Sequence, residues 1–238
     1  KNMAISPLAY LRILIPAKGS FSANVLTLMT GTTICQILII IASPILTRLY
    51  SPADYGIYAL FISITGILAV VVNWNYEPAI LLPQDDHQST DIVVLCTIIA
   101  LGMSGISFIA VLFFRHQIST LMKAPELASW LWYVSLSIFL SGLFKALTNW
   151  STRKKRFQEQ SVANVSESVV RLGTQLTSGM VFPGSGPLII GQLFGQMVGI
   201  GVLIKKIWND HKNIIFRRVS TKDLWHQAMV YKKFPLLG

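Results

Sequence analysis

The chain has 238 residues, of which 53% are apolar and 13% are charged, with a mean hydropathy of +0.57 and a formal net charge of +10. A soluble domain usually carries about a quarter charged residues, so this composition excludes an ordinary soluble protein. The basic residues lie in short segments between apolar runs, where they set membrane orientation, and this distribution argues against a nucleic-acid partner. The chain is therefore predicted to be an all-α, polytopic membrane helical bundle.

The apolar pattern predicts about six transmembrane helices, each long enough for about 30 Å of hydrocarbon at 1.5 Å per residue. They cover residues 25–46, 55–80, 92–114, 128–149, 161–182 and 187–204. The predicted domains are an interfacial N-terminal helix over 1–20, a six-helix transmembrane lobe over 21–208, a basic cytoplasmic linker over 209–234 and the start of a truncated seventh span over 235–238.

Two short motifs predict how these helices begin and pack. Ser51 and Asp54 have the spacing of a capping box, with Pro52 in the first turn of the second helix. Gly191, Gly195 and Gly199 recur every four residues and form a smooth strip for close helix contact. This strip predicts helix packing within one protein, with a dimer face as the alternative.

The positions of Lys and Arg predict the orientation. If the N-terminus is cytoplasmic, fifteen basic residues face the inside and three face the outside, and two more lie within spans. An excess of this kind marks the cytoplasmic side. The segment 84–91 is acidic and also falls inside, but acidic residues count little in this rule.

The fifth predicted span contains two opposite charges, Glu167 and Arg171. Arg171 lies about 15 Å from the inner end of the span, close to the midplane, and an ionisable group there costs at least about 2.5–3.5 kcal/mol. One interpretation is an i,i+4 ion pair that neutralises both residues. The other is that Arg171 faces a central cavity and binds a diphosphate, since guanidinium groups suit phosphate oxygens. The two can both hold.

Other polar residues of the spans are weaker candidates for substrate binding. Lys145 either snorkels to the headgroups or joins the same anion site. Arg48 anchors the outer interface or contacts substrate near the exit. Gln192 and Gln196 form a polar strip that suits sugar hydroxyls or hydrogen bonds between helices.

Glu77 lies near the inner end of the second span and is followed by Pro78. A carboxylate there could couple transport to protons or cations. Pro78 can break the helix locally, and exposed carbonyls near Asn73 and Asn75 could help bind a cation. Interfacial placement is the simpler alternative.

No constellation for an enzyme is visible. The four histidines are scattered, Cys35 and Cys96 lie in apolar runs as small hydrophobes, and there is no Walker A motif. The sequence predicts a protein that is not an enzyme, with no catalytic residues, no metal and no cofactor.

Four stretches resemble the polysaccharide biosynthesis membrane proteins, the O-antigen or Wzx-type flippases of the multidrug/oligosaccharidyl-lipid/polysaccharide exporter superfamily. They are LTRLYSPADYGIYALF (46–61), NYEPAILLPQDD (75–86), NWSTRKKRF (149–157) and YKKFPL (231–236). The resemblance implies two six-helix lobes around a central cavity, of which this chain would be the first. It also implies a multi-pass protein of the cell inner membrane.

The function that the resemblance implies is a flippase that moves polyprenyl-diphosphate-linked oligosaccharide from the cytoplasmic to the outer leaflet. The partners would be that lipid-linked sugar and membrane lipids, with a polysaccharide polymerase or glycosyltransferases as further candidates. A cation-coupled drug or metabolite antiporter of the same superfamily is the first alternative. A non-transporting scaffold for polysaccharide enzymes is the second.

Overall fold

The computed structural model describes residues 21–83, 85–215, 221–231 and 234. The predicted interfacial helix over 1–20 and the start of a seventh span over 235–238 lie outside this part of the chain. The described part consists of helices joined by short turns. They are α1 (Phe21–Leu49), α2 (Pro52–Val71), a 3-10 helix (Glu77–Leu81), α3 (Asp86–Leu121), α4 (Leu127–Trp130), α5 (Trp132–Arg153), α6 (Phe157–Val181), α7 (Gly186–Ile215) and α8 (Thr221–Val230).

This architecture confirms the predicted all-α membrane bundle. Four helices are long and apolar enough to cross a membrane by length and composition, and they cover Asn24–Leu49, Pro52–Val71, Asp86–Leu121 and Gly186–Lys206. The helices α5 and α6 have 22 and 25 residues, which is also long enough, but they are not among the four apolar ones. Charged and hydroxyl side chains make α6 polar for a spanning helix, and α1 and α7 cover it on two sides.

The second predicted span, 55–80, is not a single helix. Helix α2 begins at the predicted capping box, in which Ser51 and Asp54 exchange hydrogen bonds, and it ends at Val71. A turn follows in which Trp74 and Asn75 have positive φ angles of 48° and 54°, before the 3-10 helix starts at Glu77. Pro78 cannot donate to the carbonyl of residue 74 and disfavours helical backbone at the residue before it. The interruption predicted from Pro78 is present, and it begins several residues earlier than the proline itself.

The helices pack in a simple order. Helix α6 makes its most extensive contacts with α7 and then with α1, while α5 packs on α3 and also contacts α7 and α2. Buried apolar side chains of the described residues form three clusters. One includes Phe61 and Ile189, the second includes Trp150 and Cys96, and the third joins α1 to α6 through Leu46 and Leu172.

Two loops distant in sequence meet at one end of the bundle, which we call the basic end. Arg153 donates to the carbonyl oxygen of Pro83 and lies 3.3 Å from Asp86, and Lys154 also pairs with Asp86. The sequence predicts both loops on the cytoplasmic side, and the structure places them at the same end. The opposite end, which holds Tyr50 and residues 182–185, is called the far end below.

Candidate functional site

The glycine strip of α7 positions the charged face of α6. A Cβ atom added at Gly195 would lie 2.8 Å from the Glu167 carbonyl oxygen and 2.9 Å from the Arg171 Cβ. A Cβ at Gly191 would lie 3.0 Å from the Arg171 carbonyl oxygen. The strip therefore packs against α6 within this chain, as the first sequence interpretation predicts. Because the two backbones are so close, the polar side chains of both helices share one seam.

Arg171 lies near the middle of α6 and is half-buried. Its Nη1 donates to the Oε1 of the buried Gln192, at 3.4 Å. The hydroxyl of Tyr58, on α2, donates to the same oxygen at 3.2 Å. The Gln192 amide oxygen thus accepts hydrogen bonds from two other helices. Because this oxygen carries no formal charge, it does not neutralise the charge of the guanidinium group.

The expected ion pair between Glu167 and Arg171 is not formed. Within the described residues, no nitrogen–oxygen distance of 4.0 Å or less joins the two side chains. The two charges interact electrostatically over a longer distance. The Glu167 side chain instead lies against α7, where a Cβ at Gly199 would be 3.2 Å from the Glu167 Cβ and 3.4 Å from its Oε2. The i,i+4 spacing places the two groups as neighbours, but close packing against glycine holds the carboxylate away from the guanidinium.

Gln196 lies one turn further along α7, towards the basic end. Its Oε1 accepts from the Ser137 hydroxyl at 3.2 Å, and its Nε2 donates to the Ser141 Oγ at 3.2 Å. The amide therefore bridges α7 and α5, as the hydrogen-bonding alternative predicts. Together these residues form what we call the polar column: Tyr58, Ser137, Ser141, Arg171, Gln192 and Gln196.

Lys145 has a different environment from Arg171. Its Nζ donates to the Ala69 carbonyl oxygen at 2.6 Å and lies 3.8 Å from the Glu77 Oε1. The Glu77 side chain is only 7% exposed, whereas that of Lys145 is 41% exposed. Ala69 belongs to the last turn of α2, whose carbonyls lack partners within the helix. Lys145 therefore binds the interrupted end of α2, an arrangement that neither sequence interpretation of this residue includes.

A family model described as "polysaccharide biosynthesis protein" matches residues 45–227, well over half of the chain. The chain belongs to this family. The match covers the polar column and the interrupted end of α2, and it confirms the resemblance found in the sequence. No curated protein and no solved structure matches the chain. The family gives this polysaccharide biosynthesis protein a role in the synthesis or export of polysaccharide, and its apolar helices make it a membrane protein.

Arg48 is not part of the polar column in this polysaccharide biosynthesis protein. It is exposed at the last turn of α1, at the far end. The neighbouring Tyr50 is buried, and its hydroxyl donates to the Gln175 carbonyl oxygen, which ties α1 to α6. Burial, together with the nearby Tyr55 and Asp54, raises the pKa of Tyr50 to about 12, so its hydroxyl stays protonated.

Several residues of the site were missed from the sequence. Ser137 and Ser141 were missed, although with Lys145, which was named from the sequence, they recur every four residues on α5, and this polar stripe was the available signal. Tyr58 carries no such signal, because a tyrosine near a helix end is expected at the membrane interface.

The described part of the chain also has three surface grooves, with volumes of about 560, 530 and 610 Å³. Arg171 does not line any of these three grooves.

Proposed function

We propose that this protein moves a polyprenyl-diphosphate-linked oligosaccharide from the cytoplasmic to the outer leaflet of the inner membrane. Its family supports a role in polysaccharide synthesis or export. The observation that carries the finer proposal is the Arg171 guanidinium, which is half-buried inside a membrane bundle next to a neutral amide. Its charge has no carboxylate within 4.0 Å among the described residues.

The charge of Arg171 needs an anion. A guanidinium carries five N–H donors, and the one hydrogen bond described for that of Arg171 is the long one to Gln192. A charge without a direct ion pair is costly inside a membrane bundle, and a diphosphate would supply both the opposite charge and a matching pair of acceptor oxygens. A cationic drug would instead be repelled, which is why we place the antiporter function second.

Neighbouring groups extend the site to the sugar. Gln196 lies one helical turn from Gln192, the residue that Arg171 contacts, and it is hydrogen-bonded to Ser137 and Ser141. Sugar hydroxyls can form hydrogen bonds with these amide and hydroxyl groups in place of the bonds between the helices. Arg48 would meet the substrate later, at the far end. Transport would proceed by rocking of two lobes, driven by an ion or proton gradient, without a cofactor and without chemical conversion of the sugar.

The test replaces Arg171 in the protein as its own cell expresses it. Arg171→Ala should lower surface glycan display by about 10- to 100-fold, the equivalent of one charge-assisted hydrogen bond to the transported group. The lipid-linked oligosaccharide should accumulate at the inner leaflet, and Arg171→Lys should recover part of the display. The measurements are glycan display, the leaflet distribution of the lipid-linked sugar and the protein level in the membrane.

The matched control is Arg115→Ala. Arg115 lies on α3, where its guanidinium carbon is 5.1 Å from the centre of the Trp132 ring, outside the polar column. Its replacement should leave glycan display unchanged. Normal display with Arg171→Ala at a normal protein level would overturn the proposal and would favour the scaffold function. Unchanged glycan with lost efflux of cationic compounds would favour the antiporter.

A further inference from the structure

The interrupted end of α2 presents oxygen atoms to a positive charge. The Ala69 carbonyl lies at the negative end of the helix dipole, and the Glu77 carboxylate is almost fully buried beside it. Interrupted helices in membrane proteins commonly use such carbonyls and helix ends to bind sodium ions or protons. Here the positive group is the ammonium of Lys145, which comes from the neighbouring helix α5.

We propose that the Ala69 carbonyl and the Glu77 carboxylate form a monovalent-cation site, and that the Lys145 ammonium occupies it as an internal cation. The ammonium then ties α5 to the interrupted end of α2 without any ion from solution. This inference concerns the interrupted helix alone. It does not rest on the proposed transport of a lipid-linked sugar.

Asn73 provides a second observation at the same contact between helices. It is fully buried, and its Nδ2 donates to the Gly142 carbonyl oxygen at 2.9 Å. Its Oδ1 has no hydrogen-bond partner among the described groups. A buried amide oxygen without a donor is costly, so this contact has more oxygen acceptors than protein donors. A small cation is the kind of ligand that such a surplus of oxygens suits.

The chain spacing explains how these oxygens come together. Ala69, Asn73 and Glu77 are four residues apart, and all three contact the same stretch of α5, between Gly142 and Lys145. The turn at Trp74 and Asn75 lies between Ala69 and Glu77, so the backbone is not a regular helix over this segment. In a continuous helix the Ala69 carbonyl would accept from the N–H of residue 73, whereas here it accepts from Lys145 of α5.

An ordinary salt bridge would differ from an internal cation in one measurable respect. Removing Lys145 from a salt bridge leaves a buried carboxylate that only protonation can neutralise. Removing it from a cation site leaves oxygens that a sodium or potassium ion can occupy. The decisive experiment therefore asks whether a small cation can replace the ammonium group.

The experiment compares the unmodified protein with Lys145→Met, each purified in detergent micelles. Thermal unfolding is measured in sodium, potassium and choline chloride at equal ionic strength. The unmodified protein should give the same Tm in all three salts. Lys145→Met should be less stable in choline and should gain at least about 2–4 °C in sodium or potassium, the shift expected from about 1 kcal/mol in a chain of this size.

Two further variants make the outcome decisive. Lys145→Met combined with Glu77→Gln should lose the response to sodium and potassium, because the carboxylate ligand is gone. Lys205→Met removes an exposed lysine of α7 and should behave like the unmodified protein in every salt. Equal Tm values for Lys145→Met in all salts would overturn the proposal, and so would a response that survives in the double variant. If Lys145→Met folds only in sodium or potassium, the proposal stands, and if it folds in none of the salts, the proposal fails.

Discussion

The two basic residues inside the bundle, Arg171 and Lys145, carry the same charge and are held in opposite ways. Lys145 contacts a helix-end carbonyl and pairs with a buried carboxylate. Within the described residues, the Arg171 guanidinium donates one hydrogen bond, to a neutral amide oxygen, and the nearby Glu167 carboxylate lies against the glycine strip of α7 without a direct ion pair. A charge inside the bundle that already has a direct ion pair serves structure, whereas one without a direct ion pair is available to a ligand. The comparison therefore favours a structural role for Lys145 and supports Arg171 as the residue that we propose to bind the substrate.

The largest effect is expected from a substitution that disrupts the packing of the glycine strip against α6, on which both Glu167 and Arg171 lie. Gly195→Val would place side-chain atoms where even a Cβ lies 2.8 Å from the Glu167 carbonyl oxygen, so α6 and α7 must move apart. We expect a loss of about 1–3 kcal/mol or more, as for other overpacked interiors, and low recovery of folded protein. Thermal unfolding in micelles and the yield of monodisperse protein measure the effect.

Gly201→Val is the matched control for this substitution. Gly201 lies on the same helix, and a Cβ added there would meet nothing within 4 Å. We expect its Tm to stay close to that of the unmodified protein. Equal loss in both variants would mean that the glycine strip is not what holds α6 against α7.

The second prediction measures the two charge pairs directly. A double-mutant cycle of Glu77→Gln and Lys145→Met should give a coupling energy of about 0.5–2 kcal/mol, in the lower part of the range for contacting residues because Lys145 is partly exposed. The same cycle with Glu167→Gln and Arg171→Met should give no more than about 0.5 kcal/mol, the upper value for an i,i+4 charge pair on one helix, because the two side chains form no direct ion pair. Each cycle needs the free energy of unfolding of four proteins. A larger coupling for the second pair would reverse the assignment of the two basic residues.

The sequence predicted the class of fold well, because apolar runs of this length are hard to accommodate outside a membrane. It also predicted the capping box at Ser51 and the packing role of the glycine strip, since both follow from local spacing. It predicted the interruption near Pro78 but not where α2 ends. The positive φ angles at Trp74 and Asn75 arise in a stretch whose side chains contact α5 and α8.

The candidate site was harder to predict than the fold. Seven residues were named from the sequence, but their partners come from other helices, and a single sequence does not show which helices are neighbours. The pairing of Lys145 with Glu77 joins α5 to the segment after α2, 68 positions away. The i,i+4 rule placed Glu167 near Arg171, but it did not show that the two side chains form no direct ion pair, because it considers one helix by itself and omits the close approach of α7.

The third prediction changes the environment of Arg171 into one like that of Lys145. Gln192→Glu would place a carboxylate where the amide oxygen now accepts from Arg171 and Tyr58. The protein should fold at least as well as before, but glycan display should fall, since the new carboxylate competes with the diphosphate for the guanidinium. Tm and glycan display are measured on the same variant. Normal display would show that transport does not need an Arg171 guanidinium that is free to bind the diphosphate.

Gln192→Leu provides the comparison for that variant. It removes the acceptor for two donors without adding charge, so we expect a loss of about 0.5–1.5 kcal/mol, the range for hydrogen bonds between membrane helices. Arg171 stays available for an anion in this variant. Glycan display should therefore fall less than with Gln192→Glu, although the protein is less stable.

The smallest effect on stability is expected at Arg48. This residue is basic like Arg171 and Lys145, but it lies outside both the polar column and the interrupted end of α2. Its side chain is exposed at the last turn of α1, where a positive charge interacts weakly with the helix dipole. Arg48→Ala should leave Tm unchanged within about 1 °C, as is usual for an exposed substitution.

If Arg48 meets the diphosphate at the far end, glycan display should fall a few-fold in Arg48→Ala. Because no described contact joins Arg48 to the polar column, its effect on display should multiply with that of Arg171→Lys. A combined variant no worse than Arg171→Lys alone would restrict the substrate site to the polar column and leave Arg48 as an interface anchor.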